Sequence, residues 1–311
     1  MDQLGFDGMP ARLYACTPSR LTTWLDCPRR YRMTYLDRPT PPKGPPWAHN
    51  SLGASVHNAL AEWWRRPVRQ RTPETAGRLL AGGWLTEGYR DAEQSARWRE
   101  RAREMVVRYT ARLDPRDEPL GVERVVATRT RRVALSGRVD RIDSRAGGQG
   151  AEIVVVDYKT GRRPLSARDA RSSLPLALYA LAAQRSLRRT CRRVELHHLP
   201  SGEVAVWEHT DESLARQLGR AESIAGEAAA ADAAFRDELP PERRDEVFPP
   251  VPGAQCGWCD FVRCCPEGAA ASPASRPWEG LAGELPTPGP RDGTDGASGA
   301  LGTGASSSGR T

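Results

Sequence analysis

The spacing of apolar and polar residues predicts helices in the first third of the chain. Residues 19–25 have the pattern of a short amphipathic helix that begins after a capping residue. The Pro-rich segment 37–47 that follows cannot be helical. Beyond it, residues 51–64 repeat apolar side chains at helical spacing, and residues 74–113 continue in the same style among many Arg and Glu.

The middle of the chain changes to a strand pattern. β-branched runs at 122–132, 133–143 and 152–160 predict a meander of three strands, the last two joined by a loop of turn-forming residues at 144–150. The pattern then predicts a helix over 171–188, a hairpin formed by 194–198 and 204–209, and an Ala-rich helix over 212–234. This order of elements is that of an α/β chain.

The C-terminal part has a different composition. From residue 268 onward Ala, Ser, Gly, Pro and Thr dominate, and a segment of this kind cannot bury enough apolar surface to offset its chain entropy. The sequence therefore predicts a disordered tail at 268–311. The rest is expected to be one domain, 12–267, with a helical insertion at about 65–118 and a cysteine-rich loop at 252–267.

Charge and hydropathy indicate which partners the chain could have. Its 46 Lys and Arg against 39 Asp and Glu give a net charge of +7, which suits a polyanion such as nucleic acid but is weak evidence alone. No apolar run approaches the roughly 18–20 residues that cross a bilayer, and no basic stretch followed by an apolar one marks a secretory signal. We expect a cytoplasmic protein without a membrane partner.

The cysteines are candidates for metal ligation. Seven is an odd number, and in a reducing compartment metal ligands or free thiols are more plausible than disulfides. Cys256, Cys259 and Cys265 lie within one loop, and Cys27 opens a Cys-Pro-Arg-Arg-Tyr segment near the start. A pure thiolate set suits a cubane iron–sulfur cluster or a structural zinc, and it would join the two ends of the chain. The alternative is that these thiols are buried or idle.

Two strands carry candidate catalytic groups. Asp140 lies near the end of one predicted strand and Asp157 near the end of the next, with Lys159, one of only two lysines, two residues later. Residues two apart in a strand share a face, so Asp157 and Lys159 are neighbours. If Asp140 faces the same side, the carboxylates and an imidazole could bind Mg²⁺ or Mn²⁺. Taken singly, each Asp could instead be a strand-end carboxylate paired with arginine.

These segments, taken in order, resemble a known family. They are the Cys27 segment, the predicted helix with His57, Gly137 to Asp140, Asp157 to Gly161, and the terminal cysteine set. Together they are similar to the RecB-type nuclease domain of the PD-(D/E)XK phosphodiesterase superfamily. The resemblance is to the branch that carries a four-cysteine iron–sulfur cluster, as in AddB-type domains and CRISPR-adaptation exonucleases, and it spans about residues 17–268.

The resemblance implies a fold and a set of roles. The fold is a restriction-endonuclease-like core, with a mixed central β-sheet flanked by helices and a clasp between the termini. His57, Asp140, Asp157 and the Tyr158 carbonyl would bind the catalytic metal, and Lys159 would position or deprotonate the attacking water. Tyr179 on the following helix would be a further catalytic residue, and Glu123 would support the site. The ligands of a 4Fe-4S cluster would be Cys27, Cys256, Cys259 and Cys265.

The expected function follows from the same resemblance. It is a Mg²⁺- or Mn²⁺-dependent DNA exonuclease that acts on single strands or ends in repair or recombination, with a helicase or repair partner. The family usually has Gln four residues before the tyrosine, where this chain has Pro175. That departure keeps an alternative open, namely a catalytically weakened, cluster-stapled DNA-binding module. A zinc-stapled regulatory protein is a third.

Overall fold

The computed structural model describes residues 13–147, 150–237 and 239–281. The strands are β1 Tyr14–Cys16, β2 Gly121–Arg129, β3 Val133–Gly147, β4 Gly150–Lys159, β5 Arg193–His198 and β6 Glu203–Glu208. The helices are α1 Pro18–Asp26, α2 Pro28–Tyr35, α3 Ala48–Arg65, α4 Pro73–Gly82, α5 Ala92–Thr110, α6 Ala167–Ser172, α7 Leu174–Leu187, α8 Asp211–Arg236, α9 Arg244–Val247 and α10 Pro266–Ala271. None of these helices is long and apolar enough to cross a membrane.

The six strands form one mixed sheet around the long strand β3. The order is β1-β3-β4-β5-β6, and β2 also pairs with β3. The β2–β3, β3–β4 and β5–β6 pairs are antiparallel, whereas β1–β3 and β4–β5 are parallel. The structure thus confirms a mixed α/β fold with a mixed central sheet flanked by helices.

Strand β4 shows how the sequence builds the layers around the sheet. Val154 and Val156 pack with helices α3, α4 and α5 on one face. Ile153 and Val155 pack with α7 on the other face. Successive side chains of a strand point to opposite faces, and both faces of β4 are covered by helices, so its run of apolar residues is continuous.

Two elements differ from the sequence-based prediction. The single helix predicted over 171–188 is two helices, α6 and α7, because Ser173 caps α7 by accepting a hydrogen bond from the Leu176 amide. Pro175 lies in the first turn of α7, where proline is well tolerated. The loop predicted at 144–150 is shorter than expected, since β3 extends to Gly147 and β4 begins at Gly150.

The structure also moves the predicted end of the domain. Residues 268–281, which the sequence places in the tail, are packed against the rest of the chain. The Ser275 amide donates a hydrogen bond to the Gly257 carbonyl, and Leu281 is only 2 % exposed in the cluster formed with α3. A single Trp and a single Leu supply the apolar contacts, which a composition average does not detect. Residues 282–311 of the predicted tail lie outside the described residues.

Candidate metal centre and cysteine pocket

The two aspartates and the lysine converge where β3 and β4 separate. Arg141 pairs with Val156 in the antiparallel register, so Asp140 and Asp157 follow directly beyond that pair. Lys159 Nζ lies 2.5 Å from Asp157 Oδ2. The structure therefore brings together the three strand residues that the sequence suggested, and it places them on the sheet face covered by α7.

His57 reaches the same point from helix α3. Its Nδ1 lies 3.3 Å from Asp140 Oδ1, and its Nε2 lies 3.1 Å from the Tyr158 carbonyl oxygen. A carbonyl only accepts, so Nε2 is the donor in that bond. The Tyr158 amide in turn donates to Asp140 Oδ2 at 2.8 Å. His57, Asp140 and the Tyr158 backbone are thus held as one hydrogen-bonded unit.

Glu123 joins this unit from strand β2. Val122 pairs with Arg141 and Arg124 with Val139, so Glu123 lies opposite Asp140, in a backbone conformation with φ of 49° that is rare for non-glycine residues. Within the described residues, ligand atoms of His57, Glu123 and Asp140 all lie within 4.8 Å of one another. Nitrogen and oxygen donors at this spacing fit a divalent ion such as Mn²⁺ or Mg²⁺.

The carboxylates of the centre repel one another in a partly buried place. Burial raises the pKa of Asp157, and although Lys159 opposes the shift, the charge of Asp140 adds to it. Burial and Asp140 likewise raise the pKa of Glu123. Burial lowers the pKa of His57, but the hydrogen bond and charge of Asp140 outweigh it and the net shift is upward. Such an excess of negative charge is what a bound cation relieves.

Tyr179 lies against the strand that carries Asp140. A Cβ added to Gly137 would be 2.5 Å from Tyr179 Cε1, so only glycine lets the ring approach β3 this closely. Burial and then the charges of Asp157 and Asp140 raise the pKa of Tyr179. Pro175 lies one turn earlier on α7 and offers no side-chain amide there.

A buried network on the opposite sheet face anchors strand β4. The Tyr158 hydroxyl accepts hydrogen bonds from Arg141 Nη1 at 3.1 Å and from Trp64 Nε1 at 3.3 Å. Arg141 is 5 % exposed, donates also to the Tyr109 hydroxyl, and forms an ion pair with Asp143 at 2.8 Å. Sequence reasoning missed these groups. The available signal was a charged residue, Arg141, inside an otherwise apolar strand pattern.

The four predicted cluster cysteines line a single pocket that is partly open to solvent. It lies between the start of α2 and the C-terminal loop, and its thiols come from Cys27, Cys256, Cys259 and Cys265. A Cβ added to Gly268 would be 3.3 Å from Cys265 Sγ and 3.5 Å from Cys256 Sγ. The neighbouring Cys264 is exposed, and Cys16 and Cys191 are buried elsewhere, so the structure separates the four from the other three.

The four thiols suit either of the two predicted groups. A structural zinc is bound by four ligands in a tetrahedron, with sulfur at about 2.3 Å, and a cubane iron–sulfur cluster is also held by four cysteine thiolates.

Comparison with known proteins identifies the region that carries these features. The model of the PD-(D/E)XK nuclease superfamily matches residues 15–266. No curated protein matches the chain. The crystal structure of a candidate exonuclease from Eubacterium rectale is 12% identical, covers 75% of this chain and 88% of its own, and has a TM-score of 0.43. The crystal structure of SSO0001 is 12% identical, covers 84% and 90%, and has a TM-score of 0.32.

Proposed function

The chain belongs to the PD-(D/E)XK nuclease superfamily, and from this we propose that it is a divalent-metal-dependent DNA exonuclease of the RecB type. It acts on single strands or ends, in cytoplasmic DNA repair or recombination, alongside a helicase or repair partner. The observation that carries the proposal is the convergence of His57, Glu123, Asp140, Asp157 and Lys159 at the end of β3 and β4.

Each group in the centre has a proposed role. His57, Asp140, Asp157 and the Tyr158 carbonyl bind the metal, and Glu123 contributes a further carboxylate. A bound divalent ion supplies activation of water and neutralisation of charge on the phosphate. Lys159, with its side chain 44% exposed and its ammonium next to Asp157, holds the attacking water and the scissile phosphate in place. The ring of Tyr179 packs against β3 and orients that β-strand beside the acids.

The cysteine pocket has a structural role in this proposal. Cys27, Cys256, Cys259 and Cys265 carry a 4Fe-4S cluster that fastens helix α2 to the C-terminal loop. Arg29, 5% exposed, donates a hydrogen bond to Cys265 Sγ at 3.5 Å and also forms an ion pair with Glu267. A buried cation beside the sulfurs stabilises the negative charge of a thiolate-bound cluster.

One observation favours a second candidate function. Pro175 occupies the first turn of α7 and cannot supply the amide that family members use to orient the substrate. A protein weakened in this way would act as a cluster-stapled DNA-binding module with a helicase or repair partner. The intact set of His57, Asp140, Asp157 and Lys159 favours the nuclease, because a binding module has no need for a metal centre.

Removing the lysine tests the proposal most directly. We expect Lys159→Ala to reduce cleavage of labelled single-stranded DNA in Mn²⁺ by at least about 100-fold, since the ammonium positions the reacting groups. Asp157→Ala should do the same. The matched control is Lys43→Ala, which removes the other lysine from an exposed position.

The readouts separate the two candidate functions. A wild-type protein that binds DNA but does not cleave it in the presence of Mg²⁺ or Mn²⁺ would support the binding module. If the Lys159→Ala and Asp157→Ala variants cleave DNA as fast as Lys43→Ala, the proposed catalytic centre is wrong. Thermal unfolding of each variant shows whether the loss is one of chemistry or of folding.

A further inference from the structure

A second polar pocket lies over the edge strand β6, away from the metal centre. Its walls come from α6, the end of β6 and the first turns of α8. The pocket is lined by Arg168, Arg171, Ser172, Trp207, His209, Thr210, Ser213, Arg216 and Gln217. None of these residues belongs to the proposed catalytic centre or to the cysteine pocket.

Three buried polar atoms in this pocket lack a hydrogen-bond partner among the described residues. They are Trp207 Nε1, His209 Nε2 and Gln217 Oε1. His209 is only 2 % exposed. Leaving buried polar groups without a partner is unfavourable. Three such atoms on residues that line one pocket therefore indicate a place that a polar ligand completes.

The hydrogen bond made by His209 Nδ1 leaves its Nε2 as a hydrogen-bond acceptor. Ser213 Oγ donates to the Thr210 carbonyl, so it accepts from His209 Nδ1 at 2.9 Å. Nε2 is then left with a lone pair for which the described residues offer no donor. Burial lowers the pKa of His209, which keeps the ring neutral. The pocket thus offers an indole donor and two acceptors.

Three arginines give the same pocket a positive rim. Arg168, Arg171 and Arg216 form no ion pair with any residue that the structure describes, and the Arg171 guanidinium carbon lies 5.0 Å from the centre of the Trp207 ring. Of the nearby acids, Asp169 pairs with Arg163 and Asp211 with Arg192, while Glu212 interacts with Arg216 through charge without a close ion pair. Unpaired guanidinium groups around a cleft are suited to phosphate.

The pocket lies on the same sheet face as the acids and lysine of the metal centre. Asp157 is in register with Leu196, which pairs with Ala205, and Trp207 lies two residues further along β6 on the same face. The Asp157 and Trp207 backbones are two interstrand spacings apart across the sheet and two residues apart along the strand direction, which corresponds to about 12 Å. A stacked strand advances about 3.4 Å per nucleotide, so the pocket is at least three to four nucleotides away. The strand passes over α7, which covers the buried Leu196 and Ala205 between the two sites.

We propose that this pocket binds one nucleotide of a single-stranded nucleic acid whose scissile phosphate lies at the metal centre. Arg168, Arg171 and Arg216 hold the backbone phosphates. Trp207 Nε1, His209 Nε2 and Gln217 Oε1 pair with the edge of the base. The assignment of this strand as the substrate rests on the proposed nuclease function, whereas the pocket's affinity for a single strand does not.

Binding measured without cleavage tests the phosphate contacts. Fluorescence anisotropy of a labelled single-stranded oligonucleotide, with full-length protein and a chelator present, gives the dissociation constant at several salt concentrations. For Arg168→Gln/Arg216→Gln we expect about 10- to 100-fold weaker binding and a log–log salt slope smaller by about 1.4, because each phosphate contact contributes about 0.7 for a single strand.

The matched control removes two exposed arginines from the opposite layer. Arg78→Gln/Arg99→Gln, on α4 and α5, changes the net charge equally and should leave affinity within about twofold of wild type. All four arginines are exposed, so neither variant should unfold. If the two double variants bind alike, long-range charge explains the affinity and the pocket proposal is wrong.

A neutral substitution tests the base contact. We expect wild-type protein to bind a normal strand more tightly than an abasic strand, and Gln217→Leu to reduce that difference without changing the salt slope. Equal wild-type affinity for both strands would show a phosphate site only and overturn the assignment of a nucleotide.

Cleavage of the same oligonucleotide in Mn²⁺ is measured in parallel. If the affinities follow the pattern expected for the pocket but the wild type does not cleave the oligonucleotide, the nuclease proposal is wrong and the pocket proposal is supported.

Discussion

At the scale of single residues, the metal centre draws one carboxylate from each of three adjacent strands. Glu123, Asp140 and Asp157 come from β2, β3 and β4, and Lys159 balances only the last. The other two face His57 and each other, and burial and the charge of Asp140 raise the pKa of Glu123 although Arg138 Nη1 lies 3.8 Å from Glu123 Oε2. We therefore propose Glu123 as a metal ligand rather than a remote support, because the 66% exposed Arg138 offsets little of the repulsion between the two carboxylates.

Replacing this glutamate separates metal binding from folding. Glu123→Gln should raise the Mn²⁺ concentration needed for cleavage by about 10- to 100-fold, and it should shrink the increase in Tm that Mn²⁺ produces. In the absence of metal its Tm should equal or exceed that of wild type, since the repulsion from Asp140 is gone and the lost ion pair with the 66% exposed Arg138 contributes little. Glu203→Gln, on an exposed position of β6, serves as the control. An unchanged Mn²⁺ requirement would return Glu123 to a supporting role.

At the scale of secondary-structure elements, β4 connects the metal centre to the opposite face of the sheet. The backbone of Tyr158 contacts His57 and Asp140, while its hydroxyl lies among Arg141 and Trp64 on the other side. The side chain thus fixes the depth and rotation of the strand end. An error of about 1 Å in that position is enough to impair catalysis.

Removing one hydroxyl tests this anchoring. Tyr158→Phe leaves Arg141 and Trp64 each with one acceptor fewer, so we expect a loss of about 1–3 kcal/mol in the free energy of unfolding. The kcat should fall with little change in KM, because the substrate does not touch this face.

Tyr89, which packs in the same hydrophobic cluster as Tyr158, provides a matched control for Tyr158→Phe. Tyr89→Phe removes a buried hydroxyl that has no partner among the described residues, so it should cost little or nothing. If Tyr158→Phe reduces stability but leaves kcat at the Tyr89→Phe level, the network is structural only. A kcat that recovers in a stabilised background would lead to the same conclusion.

The sequence predicted those features that depend on local periodicity. Alternation along β4 correctly separated Asp157 and Lys159 from Tyr158, and helical spacing located the helix that carries His57. It could not predict the partners of Tyr158, since Trp64, Tyr109 and Arg141 come from three distant elements. It also missed β1, whose three residues are too few to show a period.

At the scale of the whole molecule, the C-terminal segment closes over the N-terminal segment and the start of α3. The Gly44 amide donates to the Asp260 carbonyl, the Trp47 indole donates to the Asp260 carboxylate at 2.7 Å, and the Ala48 amide donates to the Pro277 carbonyl. The predicted connector 37–47 is thus attached to the cysteine-rich loop. Because α3 also carries His57, the cysteine pocket and the metal centre share one helix as support.

The loss of one cysteine ligand should therefore affect both ends of this arrangement. We expect Cys259→Ser to lose visible absorbance, iron and sulfide together and to lower the Tm by at least about 5 °C, because a lost structural cofactor removes folding free energy. Cys264→Ser alters an exposed thiol next to a ligand and should behave as wild type. Mn²⁺ binding by Cys259→Ser, followed as the metal-induced rise in Tm, should weaken as α3 loosens. Equal absorbance and Tm in the two serine variants would show that Cys259 binds no cluster, and the support of α3 would then come from the Asp260 and Pro277 contacts.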